Sequence, residues 1–348
     1  MKATWCKYLL DFRFTAITSR ERMRQKDTYF IKLCNSVAED TIGLGEAGLF
    51  RGLSCDDRPD YEEKLSEVCR DIDRYAANPA LLADYPSIRF GLETAMRDLE
   101  NSGRRIIFPS KWTAGESVLT INGLVWMGDR ELMRERIALK LADGFSCVKI
   151  KIGGINFDEE LELLKFIRQE APDIQLRLDA NGAFRPDEAI GKLNQLARFD
   201  IHSIEQPIRA RQWEAMNRLC RTSPILIALD EELIGINDRE GKIRMLDAIR
   251  PAYIILKPTL TGGFKASEEW IALAGERNCG WWATSALESN IGLSAIAQWV
   301  ATLNPSLPQG LGTGQLYHNN IPSPLTLHGE KLSYSPDGKW TIPELEWK

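Results

Sequence analysis

Cys147-Val148-Lys149-Ile150-Lys151-Ile152-Gly153-Gly154 sets two lysines in alternation with aliphatic residues. Successive side chains of a β-strand face opposite ways, so Lys149 and Lys151 share one face and Val148, Ile150 and Ile152 the other. Taken singly, such a stretch is an ordinary strand with its lysines on the wet side. Four later stretches change its meaning, because each is also a short apolar run ending on a charged residue ahead of a turn or polar stretch. They are Ile174 to Asp179, Ile201 to Glu205, Ile225 to Asp230 and Tyr253 to Lys257. Counted from Lys151, the terminal charges follow one another at 28, 26, 25 and 27 residues.

That step is one strand, one helix and two loops, and strands alternating with helical patterns predict βαβ units and a parallel sheet. In a (β/α)8 barrel the strand ends of one rim build the active site. Lys151, Asp179, Glu205, Asp230 and Lys257 are therefore expected to converge on one mouth.

Outside the barrel pattern, residues 5–15, 28–36 and 41–47 read as strands, and helical periods follow over 61–77, with Leu65, Val68, Cys69, Ile72 and Tyr75 on one stripe, and over 87–101. Strands followed by helices make an α+β unit. The charged segment Ser19 to Lys26 between the first two strands is expected to be either a solvated turn or a flap over a ligand. The barrel is expected to begin at Ser117 to Ile121, to carry helices near 129–143, 158–171, 186–197, 210–222, 237–248 and 264–278, and to finish with strands at Gly280 to Ser285 and about Pro308 to Leu311. The expected organisation is an α/β protein: an α+β capping domain over 1–112, a barrel over 113–314, and a tail over 315–348 that returns to the capping domain.

The 348 residues suit a barrel of about 250 residues plus a smaller domain. A net charge of −5 without any basic block offers no field for nucleic acid, and no apolar run reaches membrane-spanning length. Lys7, Asp11 and Arg13 interrupt the N-terminal apolar residues, unlike a signal peptide. The seven scattered cysteines form no Cys-x-x-Cys pair, which fits reduced thiols and a cytoplasmic location. The three histidines share no metal-ligand spacing, so neither a histidine zinc site nor a Ser-His-Asp triad is expected.

Asp179, Glu205 and Asp230 on adjacent strand ends would repel one another unless neutralised. A cation does this, and hard oxygen ligands favour Mg2+; pairing of each carboxylate with a lysine or arginine at the rim is the alternative. Lysines beside such an ion suit proton abstraction next to a carboxylate, provided that burial and like charge lower the base.

The combination Lys149-Ile-Lys151, Asp179-Ala-Asn181, Glu205-Gln-Pro207, Asp230-Glu231 and Lys257 resembles the enolase superfamily, in its Lys-x-Lys, muconate-lactonizing-like branch. The resemblance covers nearly the whole chain and implies a modified, enolase-like barrel with a cap. It implies Mg2+, with Mn2+ as a possible substitute, held by Asp179, Glu205 and Asp230. The runs Leu176 to Asn181, Ile255 to Gly262 and Ser285 to Gly292 are most similar to the branch's dehydratases of cyclohexadiene carboxylates bearing a succinyl arm. Carried over, Lys151 would remove the α-proton and return it to the leaving hydroxyl, Lys149 would assist, and Lys257 would stack its ammonium on the ring.

Substrate contacts are expected from Arg177, Asn181, Ser285, Ser289, Gly312 and Thr313, since loops after strands seven and eight often bind anions. The expected partner is a small-molecule carboxylate, with no nucleic acid or membrane; no oligomeric state follows from the sequence. Epimerases of the superfamily carry Asp-x-Asp after strand eight, where this chain reads Gly310-Leu-Gly-Thr-Gly314. That disfavours a dipeptide substrate and leaves racemization of N-succinyl amino acids open. A non-catalytic barrel would lack a ligand or a base, and none is missing.

Overall fold

The computed structural model describes residues 1–17, 22–35 and 41–348. Strands β1 (Lys2–Ile17), β2 (Arg22–Cys34) and β3 (Ile42–Ala47) form an antiparallel sheet in that order. Of the segment expected as a turn or flap, Ser19 to Glu21 lie outside the described residues, whereas Arg22 to Lys26 belong to β2. That part of the expectation is corrected. Met23 pairs with Ala16 and Lys26 with Leu10, both inward and buried, while Arg22, Arg24 and Gln25 are exposed. Polar alternation on a wet face hid the strand.

Helices α1 (Tyr61–Arg70), α2 (Ile72–Ala77) and α3 (Pro86–Glu100) follow. The expected helix over 61–77 is interrupted at Asp71, but its stripe holds: Leu65, Val68, Cys69, Ile72 and Tyr75 pack with Tyr29, Ile31 and Leu33 of β2 and Ile88 and Leu92 of α3. Burying each such aliphatic side chain contributes roughly 1.5–3 kcal/mol. Glycine brings α3 onto β3, since a Cβ on Gly45 would lie 1.9 Å from the Gly91 carbonyl oxygen. Gly45→Ala is therefore expected to destabilise the protein by about 1–3 kcal/mol or more, because the obstacle is backbone. An unchanged urea midpoint would refute that close packing.

The second unit runs β4 (Leu119–Thr120), β5 (Gly123–Val125), α4 (Arg130–Ala142), β6 (Cys147–Lys151), α5 (Phe157–Glu170), β7 (Gln175–Asp179) and α6 (Ala189–Leu196). It continues through β8 (Ile201–Glu205), α7 (Trp213–Thr222), β9 (Leu226–Leu229), α8 (Arg239–Ile249) and β10 (Tyr253–Leu256). A short α9 (Pro258–Thr261), then α10 (Gly263–Gly275), β11 (Gly280–Ala283) and α11 (Asn290–Thr302) complete it, and β12 (Leu325–His328) and β13 (Lys331–Tyr334) form a hairpin in the tail.

Among the described residues β5 to β11 make a seven-stranded parallel sheet in chain order. Two barrel expectations need correction. The first barrel strand is Gly123–Val125 rather than Ser117 to Ile121, because Leu119 and Thr120 pair antiparallel with Leu332 and Lys331 of the tail hairpin. The eighth strand is reduced to Gln309 and Gly310, which bridge Ile121 and Thr284 and so link the two edges of the sheet. Leu307 to Leu311 is too short, with Pro308 in it, to sustain a ladder. The helix expected from Pro186 starts at Ala189.

Outward residues such as Val148, Ile150, Leu176, Leu178, Ile204 and Ile227 pack on helix residues Leu163, Ile167, Leu193, Met216, Leu219 and Leu246. The tail's Trp340, Ile342, Leu345 and Trp347 lie on Cys6, Phe30 and Leu44 of the N-terminal sheet. Among the described residues no helix is long and apolar enough to cross a membrane, and all seven cysteines are free.

Candidate active site

Every residue of β6 is buried, so its lysines face the barrel interior and not water. Register does the rest: Lys151 pairs with Asp179 and Asp179 with Glu205, placing all three side by side across β6, β7 and β8. Asp230 and Lys257 follow β9 and β10 at the same rim.

Lys149 Nζ lies 2.5 Å from Glu205 Oε2 and 2.9 Å from Asp179 Oδ2. Lys151 Nζ donates to Asp179 Oδ2 at 2.9 Å and to Asn181 Oδ1 at 2.8 Å. Lys257 donates to Asp230 Oδ2. Asn181 takes the left-handed conformation, φ 44°, which asparagine tolerates, and donates from Nδ2 to Glu231 Oε1 at 3.1 Å. Gln206, at φ 40°, accepts from the Asp230 amide at 3.2 Å and donates to the Ile208 carbonyl, which ties the ends of β8 and β9 together.

The electrostatics are those of crowded opposite charges in a dry site. Burial favours neutral lysine, but the charges of Asp179, Glu205 and Asp230 outweigh it and hold the Lys149 ammonium above its ordinary range. Lys257 is raised in the same way against burial, by Asp230, Glu231 and Glu205. Asp179 is held far below the carboxylate range by Lys149 and Lys151 in spite of burial. Glu205 goes the other way: burial first, then repulsion from Asp179, push it above the usual carboxylate range. Its Oε1 has no hydrogen-bond partner among the described residues.

Among the described residues no group of three or more His, Cys, Asp or Glu side chains is arranged as a metal site. The carboxylate oxygens here face lysine ammoniums, the rim pairing that the sequence offered as the alternative to a cation.

The three lysines, Asp179 and Asn181 line a cavity that is partly open to solvent. Its other walls are Phe50 and Leu53 beyond β3, Leu124 and Trp126 at β5, Trp282 of β11, the loop Thr284 to Leu287, and Gly310, Gly312 and Thr313. Ser285, Gly312 and Thr313 line the same cavity as the lysines. Thr313 Oγ1 and Asn122 Oδ1, also at the cavity, have no hydrogen-bond partner among the described residues.

Two expected contacts lie elsewhere. Arg177 is not among the cavity-lining residues; its Nη1 donates to the Pro308 carbonyl at 2.8 Å, and its guanidinium sits 4.1 Å from the centre of the Trp282 ring. Ser289 caps α11 and donates to Glu46 Oε2 at 2.6 Å. Phe50, Leu53 and Trp126 escaped the sequence reading because nothing in a lone apolar residue says which cavity it faces. Asn122 had a signal, a polar residue closing the apolar run Ser117 to Ile121.

Just below, His202 stacks 5.3 Å from the Tyr253 ring, and its Nδ1 is 2.9 Å from Ser203 Oγ. Burial, and then the Arg177 charge, push it down to about 4 from 6.5. Between those values the unfolded chain binds more protons, so this group makes stability rise with pH across that window and lowers it on acidification. His202→Gln should therefore show a smaller fall in Tm from pH 6.5 to 4 than the parent; an equal fall would mean that His202 is not held neutral.

The sequence model of the family described as "Enolase C-terminal domain-like" matches residues 132–337. The o-succinylbenzoate synthase of Desulfotalea psychrophila is 43% identical, over 96% of this chain and 99% of that protein. Among solved structures, MenC from Desulfotalea psychrophila LSv54 superposes with a TM-score of 0.85 at 42% identity, covering 96% of this chain and 99% of the other. The L-Ala-D/L-Glu epimerase of Bacillus subtilis superposes with a TM-score of 0.81 at 19% identity, covering 98% of each chain, a likeness of fold.

Proposed function

We propose, on the premise that this chain belongs to the enolase superfamily and is an enzyme of it, that it is an o-succinylbenzoate synthase. It would dehydrate 2-succinyl-6-hydroxy-2,4-cyclohexadiene-1-carboxylate to 2-succinylbenzoate in the cytoplasm, for menaquinone biosynthesis. The observation that carries this reading is the gathering of Lys149, Lys151 and Lys257, which line one cavity with Asp179, into ion pairs with Asp179, Glu205 and Asp230, in a chain 43% identical to a relative of that name.

A divalent cation suits the chemistry of the donor set, three carboxylates that here face lysine ammoniums. Glu205 keeps one buried oxygen without a hydrogen-bond partner among the described residues, an acceptor left for such an ion. Asp179, Glu205 and Asp230 would hold Mg2+ through hard oxygen atoms. When bound, the ion supplies a Lewis acid for the negative charge that grows on the substrate carboxylate.

The chain's own groups supply the proton transfers. Lys151, as the amine, takes the α-proton; as the ammonium, it returns that proton to the hydroxyl, which leaves as water. The C–H and C–O bonds break, a C=C bond forms, and the ring becomes aromatic. One base serves both steps because proton and hydroxyl lie on one face. Asn181, bonded to Lys151 on one side and Glu231 on the other, fixes the direction of its Nζ. Lys149 and Lys257 place cations beside the developing charge.

Trp126, Phe50 and Leu53 would exclude water, and Ser285, Gly312 and Thr313 would receive the succinyl carboxylate. Ser289 and Arg177 are engaged with Glu46 and Pro308 and would act through their neighbours. In this reading residues 113–314 supply the chemistry, residues 1–112 close the cavity through Phe50 and Leu53, and the tail 315–348 packs on the N-terminal sheet.

The test is a pair of kcat/KM values with Mg2+ present, one for dehydration of the cyclohexadiene substrate and one for racemization of N-succinyl amino acids. Faster dehydration is expected. The reverse ranking would place the protein with the N-succinylamino acid racemases, for which Lys151 and Lys257 at one cavity would serve as the two bases.

A further inference from the structure

Behind the cavity wall runs a buried polar seam that the reaction above does not use. Glu288, in the loop between β11 and α11, and Glu46 of β3 are both fully buried. Glu288 Oε2 accepts from the Ser285 hydroxyl at 2.6 Å and from the Ala286 amide at 2.8 Å. Its Oε1 accepts from the Thr259 hydroxyl. Ser285 and Ala286 are cavity wall, and Thr259 stands two residues past Lys257, in the helical turn that Lys257 caps.

Glu46 meets the same loop one residue on. It accepts from the Ser289 amide at 2.8 Å, the Ser289 hydroxyl at 2.6 Å and the Gly292 amide at 2.8 Å, as well as from Thr28 of β2 at 2.7 Å. The charges of both carboxylates bear on the buried Lys26 ammonium, which lies 3.5 Å from the Gly48 carbonyl. The wall itself follows an unfavoured path: Leu287 has φ 63°, a left-handed conformation that leucine rarely adopts. It is held there by its amide donating to Ser285 Oγ at 2.9 Å and by the Tyr317 hydroxyl donating to its carbonyl at 2.7 Å.

We propose that Glu288 is a positioning residue. One of its oxygens fixes the wall Thr284 to Leu287, the other fixes the turn that carries Lys257, and Glu46 carries the same geometry to the N-terminal sheet. Only a carboxylate suits the place, because three donors converge on two acceptor oxygens, whereas a glutamine has one oxygen and adds donors of its own. The proposal deepens the reading above, since it rests on Lys257 acting in the cavity.

Thr259→Val, nearly isosteric, removes one bond of the seam at a residue outside the cavity. It is expected to lower kcat by about tenfold, the size of a hydrogen bond to a charged group, with KM changed much less. Thr259→Ser should restore kcat. Glu288→Gln, which disturbs both arms, should lower kcat and raise KM together.

Hydrogen exchange read on the ligand-free protein, below the Tm of every variant, should show the Ala286 and Leu287 amides exchanging at least about tenfold faster in Thr259→Val and Glu288→Gln, and not in Thr259→Ser. Equal exchange in all four proteins would overturn the proposal, as would a kcat loss in Thr259→Val that serine does not repair. A parent enzyme inactive on the cyclohexadiene carboxylate would overturn the assigned reaction instead, and the exchange measurement would still decide on Glu288.

Discussion

Lys151→Ala is expected to lower kcat by about 10²- to 10⁴-fold, the usual contribution of a positioned acid–base group, and by more if both proton steps depend on it. The fold should persist. The side chain sits at the end of β6, its backbone pairing with Asp179 in β7 is untouched, and Lys149 remains at 2.9 Å to neutralise the Asp179 carboxylate. The variant must therefore keep the parental circular dichroism and nearly the parental Tm while losing dehydration. Retained dehydration would remove Lys151 from the mechanism. Activity lost together with the fold would instead make the Lys151–Asp179 pair a structural one.

Chelation carries the second large effect. With EDTA the turnover should vanish, and added Mg2+ should restore it. Asp230→Asn should weaken Mg2+ binding by more than the roughly 10- to 100-fold that removal of an outer hydrogen-bonding partner costs. The same substitution takes the counter-charge from Lys257, which then stands buried near Glu231 and Glu205 alone. Calorimetric titration with Mg2+ separates the two consequences, because it reads metal affinity without turnover. Activity unaffected by EDTA, or Mg2+ affinity unaffected by Asp230→Asn, would contradict a metal held by these carboxylates.

Much of this arrangement was legible in the chain. Parallel pairing of β6, β7 and β8 puts Lys151, Asp179 and Glu205 in one row, and the even spacing of those residues anticipated it. Strand ends are legible because a strand's period and its closing charge are local properties. Where long-range pairing competes with local pattern, the reading slipped. Ser117 to Ile121 has a good strand pattern, yet Leu119 and Thr120 bond to a hairpin more than two hundred residues later. Arg22 to Lys26 looks like a charged loop and is a strand because β1 pairs with it on both sides of a shift in register.

By itself, the sequence determined the repeat of strand and helix, the rim on which the charges gather, and the residue types available there, since alternation and spacing act within a few residues. Only the tertiary structure decided which oxygen each lysine takes, that Arg177 turns to Pro308 and Ser289 to Glu46, and that Phe50, Leu53 and Trp126 close the cavity. Those choices join groups as far apart as Glu46 and Ser289, 243 residues along the chain. A buried donor takes whichever acceptor the packed fold brings within reach, because leaving it unpaired costs about 1–3 kcal/mol, and that proximity is a property of the packed fold.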